Sequence, residues 1–373
     1  VNFGFNEEQD QLRAAVADFL KNETPTAFAR QMLEQDAGMT DEVWRKMAQL
    51  GWMGLTVPEA YGGSGLGLLD LAIVAEEMGG VVLPGPYFST VALALPAIVE
   101  LGTDEERERL LPAIADGSMK ATVAWVEADG VWRGGGFGCR AESDGARVIV
   151  NGQKLFVSDA RSADVIFVVA DGPDGTGIFA IGADNPGLEI RPMTGMDETR
   201  KLDVVTLNGV AVDASARLGG RVVERAALDR LLDIAKTMLA AEMCGAAAAV
   251  VDLSVEYAKI REQFGRPIAT FQALQHKMAD MKVALENARS LTYYAAWALD
   301  NGAEDARLAC AMAKAYASEA CVGVVAEGIQ VHGGIGFTWE HDAHLYFKRV
   351  KSGELTFGDA TANREIVAEL LAV

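Results

Sequence analysis

Apolar positions recur with a helical period over residues 6–22, where Asn6 stands as an N-cap and Gln9 completes a capping box. The same period predicts helices over 40–50, 68–79, 88–101 and 103–115. Between them, residues 57–65 (VPEAYGGSG) are glycine-rich around Pro58 and predict a surface connector. Near Lys120 the period changes to two. The run 147–157 is an alternating segment with Asn151-Gly152 at its centre, the pattern of a hairpin turn. Residues 164–170, 177–181, 188–193 and 203–212 predict further strands, with a second tight turn at Asn208-Gly209. From Glu224 the helical period returns in one very long helix to about 263, in helices over 270–301 and 304–333, and in a short terminal helix from about 361. Short strands without intervening helices imply a β-sandwich or barrel, and long helices with short joins imply a bundle. The expectation is a multi-domain α+β protein, mostly α: an all-α domain over 1–118, a β domain over 119–222 and a four-helix-bundle domain over 223–373.

Composition narrows the function. The 373 residues suit two or three domains, and half of them are hydrophobic, ample for a core. Acidic residues number 53 against 33 basic ones, a net charge of −20 that argues against nonspecific nucleic-acid binding. A small anionic ligand in a local basic pocket stays compatible. Cys139, Cys244, Cys310 and Cys321 form no CxxC pair, and three of them lie in apolar helical runs. The histidines form no HExxH pair, so no metal site is expected. The first ten residues show neither a basic nor an apolar leader segment, and uninterrupted apolar runs fall short of the ~18–20 residues that span a bilayer. A cytoplasmic protein without membrane insertion is expected.

Two stretches carry candidate chemistry. Residues 257–275 (YAKIREQFGRPIATFQALQ) join two helices through a polar turn at Gly265-Arg266-Pro267, with Arg261, Gln263 and Gln272 polar in an apolar setting. Residues 330–337 (QVHGGIGF) lie about one long hairpin downstream. Taken singly, Arg261 is an ordinary surface arginine and Gly333-Gly334 a helix C-cap. No strand precedes the glycines and GxGxxG is absent, which excludes a dinucleotide fingerprint. Together in one bundle, the two stretches suggest helix ends that hold an anionic or nucleotide-like ligand.

REQFGRPIATFQALQHKMADM (261–281) and QVHGGIGFTWEHD (330–342), in this order of domains, resemble the acyl-CoA dehydrogenase family of flavoproteins. VPEAYGGSGLG (57–67), LAIVAEEMG (71–79) and NGQKLFVSDARSADVIFVVA (151–170) extend the resemblance over nearly the whole chain. It implies FAD as cofactor. Arg261 would contact phosphate, Phe264 would offer an apolar edge to a ring, and Gln272 would bond adenine or ribose. Gly333 and Gly334, lacking a Cβ, would let backbone approach. Gln263, Gln330, Val331 and Thr361 are placed near the same cofactor. In the family these stretches reach across a dimer interface to FAD held largely by the neighbouring subunit.

The resemblance also implies the reaction: a carboxylate removes the α-proton of an acyl-CoA thioester and the β-hydrogen passes as hydride to flavin N5. The family's base is a glutamate in a tyrosine-glutamate-glycine-threonine motif, where this chain reads LTFGDATANR over 355–364. One placement puts Asp359 at the base position; another puts Gly358 there and leaves no base. Asp359 is equally suited to cap the terminal helix. In some relatives the base sits on the preceding long helix, at the place of Ala235; Glu242 follows two turns later on the same face, where burial would raise its pKa or a partner helix or water would receive it. Asp233 and Lys236 match substrate-contacting positions, Lys236 in place of an arginine.

The loop expected beside the flavin ring departs from the family's threonine-glutamate-proline pattern. Trp125 and Val126 stand there, Val126 without a hydroxyl, while Ser158 remains near the expected ring position. Two outcomes follow. The chain is a dehydrogenase with an altered substrate, or one half of a heteromeric dehydrogenase that lends Arg261, Gln272 and Gly333-Gly334 to a partner's flavin, as in bacterial relatives acting on steroid side chains. Other flavoenzymes on this scaffold, nitroalkane oxidase-like or monooxygenase, and a non-catalytic assembly partner are the alternatives. An electron-transferring flavoprotein and a homotetramer or heterotetramer with a related subunit complete the implied partners.

Overall fold

The computed structural model describes residues 4–132, 136–144 and 147–373. Six helices precede the strands: α1 (Glu7–Glu23), α2 (Thr26–Met32), α3 (Asp41–Gln49), α4 (Leu68–Gly80), α5 (Leu95–Leu101) and α6 (Asp104–Ala115), with a π-helical stretch at Phe88–Ala94 running into α5. The strands are β1 (Ala121–Ala124), β2 (Arg140–Asp144), β3 (Arg147–Ser158), β4 (Val165–Gly172), β5 (Gly175–Gly182), β6 (Leu188–Met193) and β7 (Leu202–Asp213). Then come α7 (Arg225–Ile260), a two-rung hairpin of β8 (Glu262–Gln263) and β9 (Arg266–Pro267), α8 (Gln272–Asp300), α9 (Ala306–His332), α10 (Ala343–Leu355) and α11 (Ala360–Leu371).

These elements gather into two compact units: one of residues up to Arg30 with Leu68–Leu83 and Lys236–Val373, the other of Gln31–Gly67 with Pro84–Ala235. In the first, α8 and α9 pack antiparallel, with α10 and α11 against α9 and with α4 against α8. The capping box at Asn6 and Gln9 forms as expected. Small residues set the closest approach. A Cβ on Gly245 would lie 1.7 Å from the Glu76 carbonyl oxygen, and one on Gly79 would lie 2.0 Å from that of Glu242. The backbones of α4 and α7 therefore touch, which fixes their register. Glu76, 2% exposed, accepts from Arg289 Nε at 2.6 Å and from the Tyr293 hydroxyl, with Arg13 beside it. By length and composition α7 and the stretch Ala306–Phe337 could cross a membrane, but both are mostly buried inside the protein, as core helices are.

The second unit holds one mixed seven-stranded sheet in the order β1-β4-β2-β3-β7-β6, with β5 on the other edge of β4. Its core is β-branched and aliphatic: Val150, Ile166, Val168, Ile181, Val205 and Val210 are buried. Neither Asn-Gly pair makes a hairpin turn. β3 runs unbroken through Asn151-Gly152 and β7 through Asn208-Gly209, and the two pairs face each other across the sheet. The register slips there, with Gly209 at φ +63° and its N–H donating to Asn151 Oδ1 at 2.7 Å. The positive φ that a type I′ turn requires is also what a bulge requires, so the dipeptide alone did not distinguish them.

Helices α2 and α10 have no counterpart in the sequence pattern. The first is only two turns long; in the second, His344 and Arg349 occupy buried positions and hide the apolar period. The long helix ends at Ile260, three residues before its expected end, because the chain turns into the β8–β9 hairpin.

Candidate functional site

At the end of α7 the hairpin turn is made by Phe264 (φ +54°) and Gly265 (φ +75°). Glycine takes this region freely, whereas an aromatic residue pays for it, and Phe264 is held there while 93% exposed. Arg261 and Gln263 flank it, both exposed. Among the described residues the Arg261 guanidinium has no hydrogen-bond or ion-pair partner. Gln272 opens α8, its amide 3.4 Å from His276 Nε2. Arg266 lies over the Phe271 ring at 4.2 Å, and Phe271 meets Phe264 edge-on at 6.1 Å.

The second stretch caps α9. Gly333 has φ +64° and opens a 3-10 turn over Gly333–Phe337. Gln330 is exposed and Val331 buried. The structure brings the two stretches to the same end of the bundle: Tyr257, one turn before Arg261, stacks on His332, the neighbour of Gly333, at 4.6 Å. Ile335, Phe337 and Trp339 are exposed beyond it, Phe337 by 71%. A Cβ added at Gly265, Gly333 or Gly334 would meet nothing within 4 Å, so this end is open. Its donors are an unpartnered guanidinium, two primary amides and backbone N–H groups at a helix end, beside an exposed aromatic. That set fits a ligand with a diphosphate and a heteroaromatic ring, the chemical parts of FAD.

In the sheet unit Trp125 and Val126 are buried, and neither side chain faces an open surface. Trp125 Nε1 donates to the Trp132 carbonyl at 2.9 Å, and the Val126 carbonyl accepts from Leu155 N at 2.8 Å. The loop is pinned from below by Lys154, which is fully buried and donates to the Trp125 carbonyl at 3.0 Å and to Glu127 at 2.7 Å. Burial pushes the Lys154 ammonium down from its usual range, with Glu127 opposing the shift. Ser158 is half-buried at the end of β3, and its hydroxyl has no hydrogen bond among the described residues. Phe156, which the sequence reading passed over, is turned out to solvent at a bulge (φ +54°) two residues earlier. Its only sequence signal was an aromatic in a strand.

The two candidate bases differ in what they already do. Glu242 is buried but not solitary: Arg349 Nη1 lies 3.0 Å from its Oε1 and 3.2 Å from the Leu83 carbonyl. Of the two expectations for Glu242, burial as a proton-transfer group or a partner helix or water, the structure shows a partner helix: α10 brings a guanidinium that the sequence pattern did not place. Asp359 is the N-cap of α11, its Oδ1 accepting from Ala362 N at 2.8 Å. Its Oδ2 has no hydrogen-bond partner among the described residues. Thr361 is exposed on the first turn of α11. Asp233 and Lys236 are both buried on α7.

Models of the N-terminal and C-terminal domains of acyl-CoA dehydrogenases match residues 6–118 and 225–372. The chain is 33% identical to the acyl-CoA dehydrogenase IpdE2 of Mycolicibacterium smegmatis over 95% of each chain, and 31% identical to the probable acyl-CoA dehydrogenase YngJ of Bacillus subtilis over 100% of each. Among solved structures, a variant of the Tcur3481–Tcur3483 steroid ACAD matches with a TM-score of 0.89 at 36% identity, over 98% of each chain. The ChsE4–ChsE5 complex from Mycobacterium tuberculosis matches with a TM-score of 0.91 at 27% identity, over 100% of this chain and 99% of that one.

Proposed function

The chain belongs to the acyl-CoA dehydrogenase family, and from that premise we propose that it works as one subunit of a heteromeric enzyme, completing a flavin site on a related, non-identical partner. The activity is the family's: FAD-dependent oxidation of a CH–CH bond in an acyl-CoA thioester. FAD, when bound, accepts the β-hydrogen as hydride. Arg261 would pair with its diphosphate, Gln272 and Gln263 with the adenosine portion, and the Gly333-Gly334 backbone would lie against it without a Cβ in the way. One observation carries this reading. Arg261, Phe264 and most of the Gly333–Phe337 turn are preformed and exposed, and among the described residues the arginine side chain has no partner.

The heteromeric assignment is supported by the kinship with ChsE4–ChsE5 and Tcur3481–Tcur3483, each a pair of differently named chains. It is supported too by Val126, which presents no hydroxyl at the loop expected beside the ring. A bulky, ring-bearing acyl group is the substrate class this kinship favours, with an electron-transferring flavoprotein as acceptor and the cytoplasm as location. Where the chain does use its own site, Asp359 is the base favoured here. Its Oδ2 has no hydrogen-bond partner among the described residues, whereas Glu242 is tied to Arg349. An aspartate is one methylene shorter than glutamate, so the turn before α11 must hold it close to the substrate.

Flavin per chain decides the matter. The purified chain alone is expected to be colourless, and to form a yellow complex with half a flavin per chain when co-expressed with a related subunit. A yellow homo-oligomer with one flavin per chain, active on acyl-CoA, would reject the heteromeric reading.

A further inference from the structure

The segment between α10 and α11 is held in an unusual way. Phe357 and Gly358 both take positive φ, +61° and +90°. For a buried phenylalanine that conformation is strained, and it persists only if the surroundings over-determine it. Lys314, from the middle of α9, supplies much of that. Its side chain is 0% exposed, and its Nζ donates to the carbonyl of Glu354 at 3.0 Å, to that of Gly358 at 2.9 Å and to Ser318 Oγ at 2.8 Å. Asn363, also fully buried, donates from Nδ2 to the Gly358 and Asp359 carbonyls, each at 2.9 Å. Carbonyls at the end of one helix and ahead of the next thus converge on one ammonium and one amide.

We propose that Lys314 is a positioning residue for the reaction: with Asn363 it clamps the Phe357-Gly358-Asp359 turn and so sets where the Asp359 carboxylate and the start of α11 stand. The proposal rests on the reading that the chain uses a site of its own, with Asp359 as the base and this turn bordering the substrate. A helical residue that merely filled the core would be apolar. Burying an ammonium is costly unless its donors are matched, and here all three hydrogens are matched. The matching leaves no donor free for a ligand, so the role is to position. The charge is under stress. Burial first, then the charge of Lys236 on α7, pushes the Lys314 pKa down to about 7, against the opposing pull of Glu354, Asp359 and Cys321. A neutral amine still has two hydrogens for the two carbonyls and a lone pair for the Ser318 hydroxyl, so the clamp holds on either side of that pH.

The deciding experiment is hydrogen exchange by mass spectrometry on the assembled enzyme, comparing the natural protein with Lys314→Met, Asn363→Leu and Asp359→Asn, alongside steady-state kinetics. The clamp predicts that Lys314→Met raises exchange over residues 356–364 while the amides of α8 and of the sheet stay protected. It predicts a fall in kcat of about 10²-fold with flavin content retained. Asn363→Leu should do the same to a smaller degree, and it serves if Lys314→Met does not fold. Unchanged exchange over 356–364 in the variant that folds, or loosening spread evenly over the bundle, overturns the clamp. Raised local exchange with kcat unchanged in both Lys314→Met and Asp359→Asn overturns the catalytic placement of the turn and the positioning role with it.

Discussion

Two turns of the helical unit hold the candidate site residues, and they are built in opposite ways. The turn at Arg261–Gly265, with the glycines after α9, is exposed, and among the described residues its guanidinium has no partner. The turn at Phe357–Asp359 is tied by Lys314, Asn363 and its own cap, so that the Gly358 and Asp359 carbonyls find donors within the chain. Both hold an aromatic residue at positive φ: Phe264 exposed in the first, Phe357 buried in the second. The first leaves its polar side chains open to solvent, and the second ties the backbone of its turn from within the chain. Strain alone therefore does not say which kind a site is. The destination of the polar groups does.

Substitutions can separate the two. The largest loss of stability is expected where the buried pair between α7 and α10 is broken. Glu242→Ala removes one carboxylate from a buried ion pair and should cost about 3–5 kcal/mol, read as a fall in the denaturation midpoint. Gly245→Ala drives a Cβ into the Glu76 carbonyl and should cost about 1–3 kcal/mol, with the α4–α7 contact loosened in hydrogen exchange. Asp359→Ala removes the cap of α11 and should cost about 0.5–2 kcal/mol. Arg261→Ala, at the open end, should leave the denaturation midpoint unmoved while weakening flavin retention in the assembled enzyme by about 1.5–3 kcal/mol, measured by equilibrium dialysis. If Arg261→Ala destabilised the chain itself, the contrast between the two ends would be lost.

A further readout is the pH dependence. The Lys314 pKa lies near 7 in the folded protein, against 10.5 when unfolded. Between those values the unfolded chain binds more protons, so this group makes stability rise with pH from about 7 upward, and its contribution is flat and unfavourable below. Denaturant titrations at pH 6, 8 and 9.5 should show a shallower rise in Lys314→Met than in the natural protein.

How much of this was legible beforehand differs between the two ends. At the open end, Arg261, Gln263 and Gln272 stand out as polar residues at helix boundaries, Phe264 and the glycine pair stand out by the family resemblance, and the structure joins the two stretches through Tyr257 and His332. Such residues are conspicuous because they do not suit a core. The clamped end was half legible. Asp359 was identified, cap included, but Lys314 and Arg349 passed unnoticed. A buried cation on an alanine-rich helix looks like any solvated lysine until the acceptors that match it, forty residues away, are folded around it.

Periodicity along the chain fixed the succession of helices, strands and helices, since each element must bury one face and the spacing of apolar residues declares which. It could not decide the fate of the Asn-Gly pairs, because a bulge and a turn ask for the same backbone angles and only the pairing of β3 with β7 chooses between them. Nor could it tell a free carboxylate from a paired one. Glu242 acquires Arg349 only when α10 packs alongside, and long-range pairing of charges is a property of three-dimensional neighbours rather than of sequence spacing.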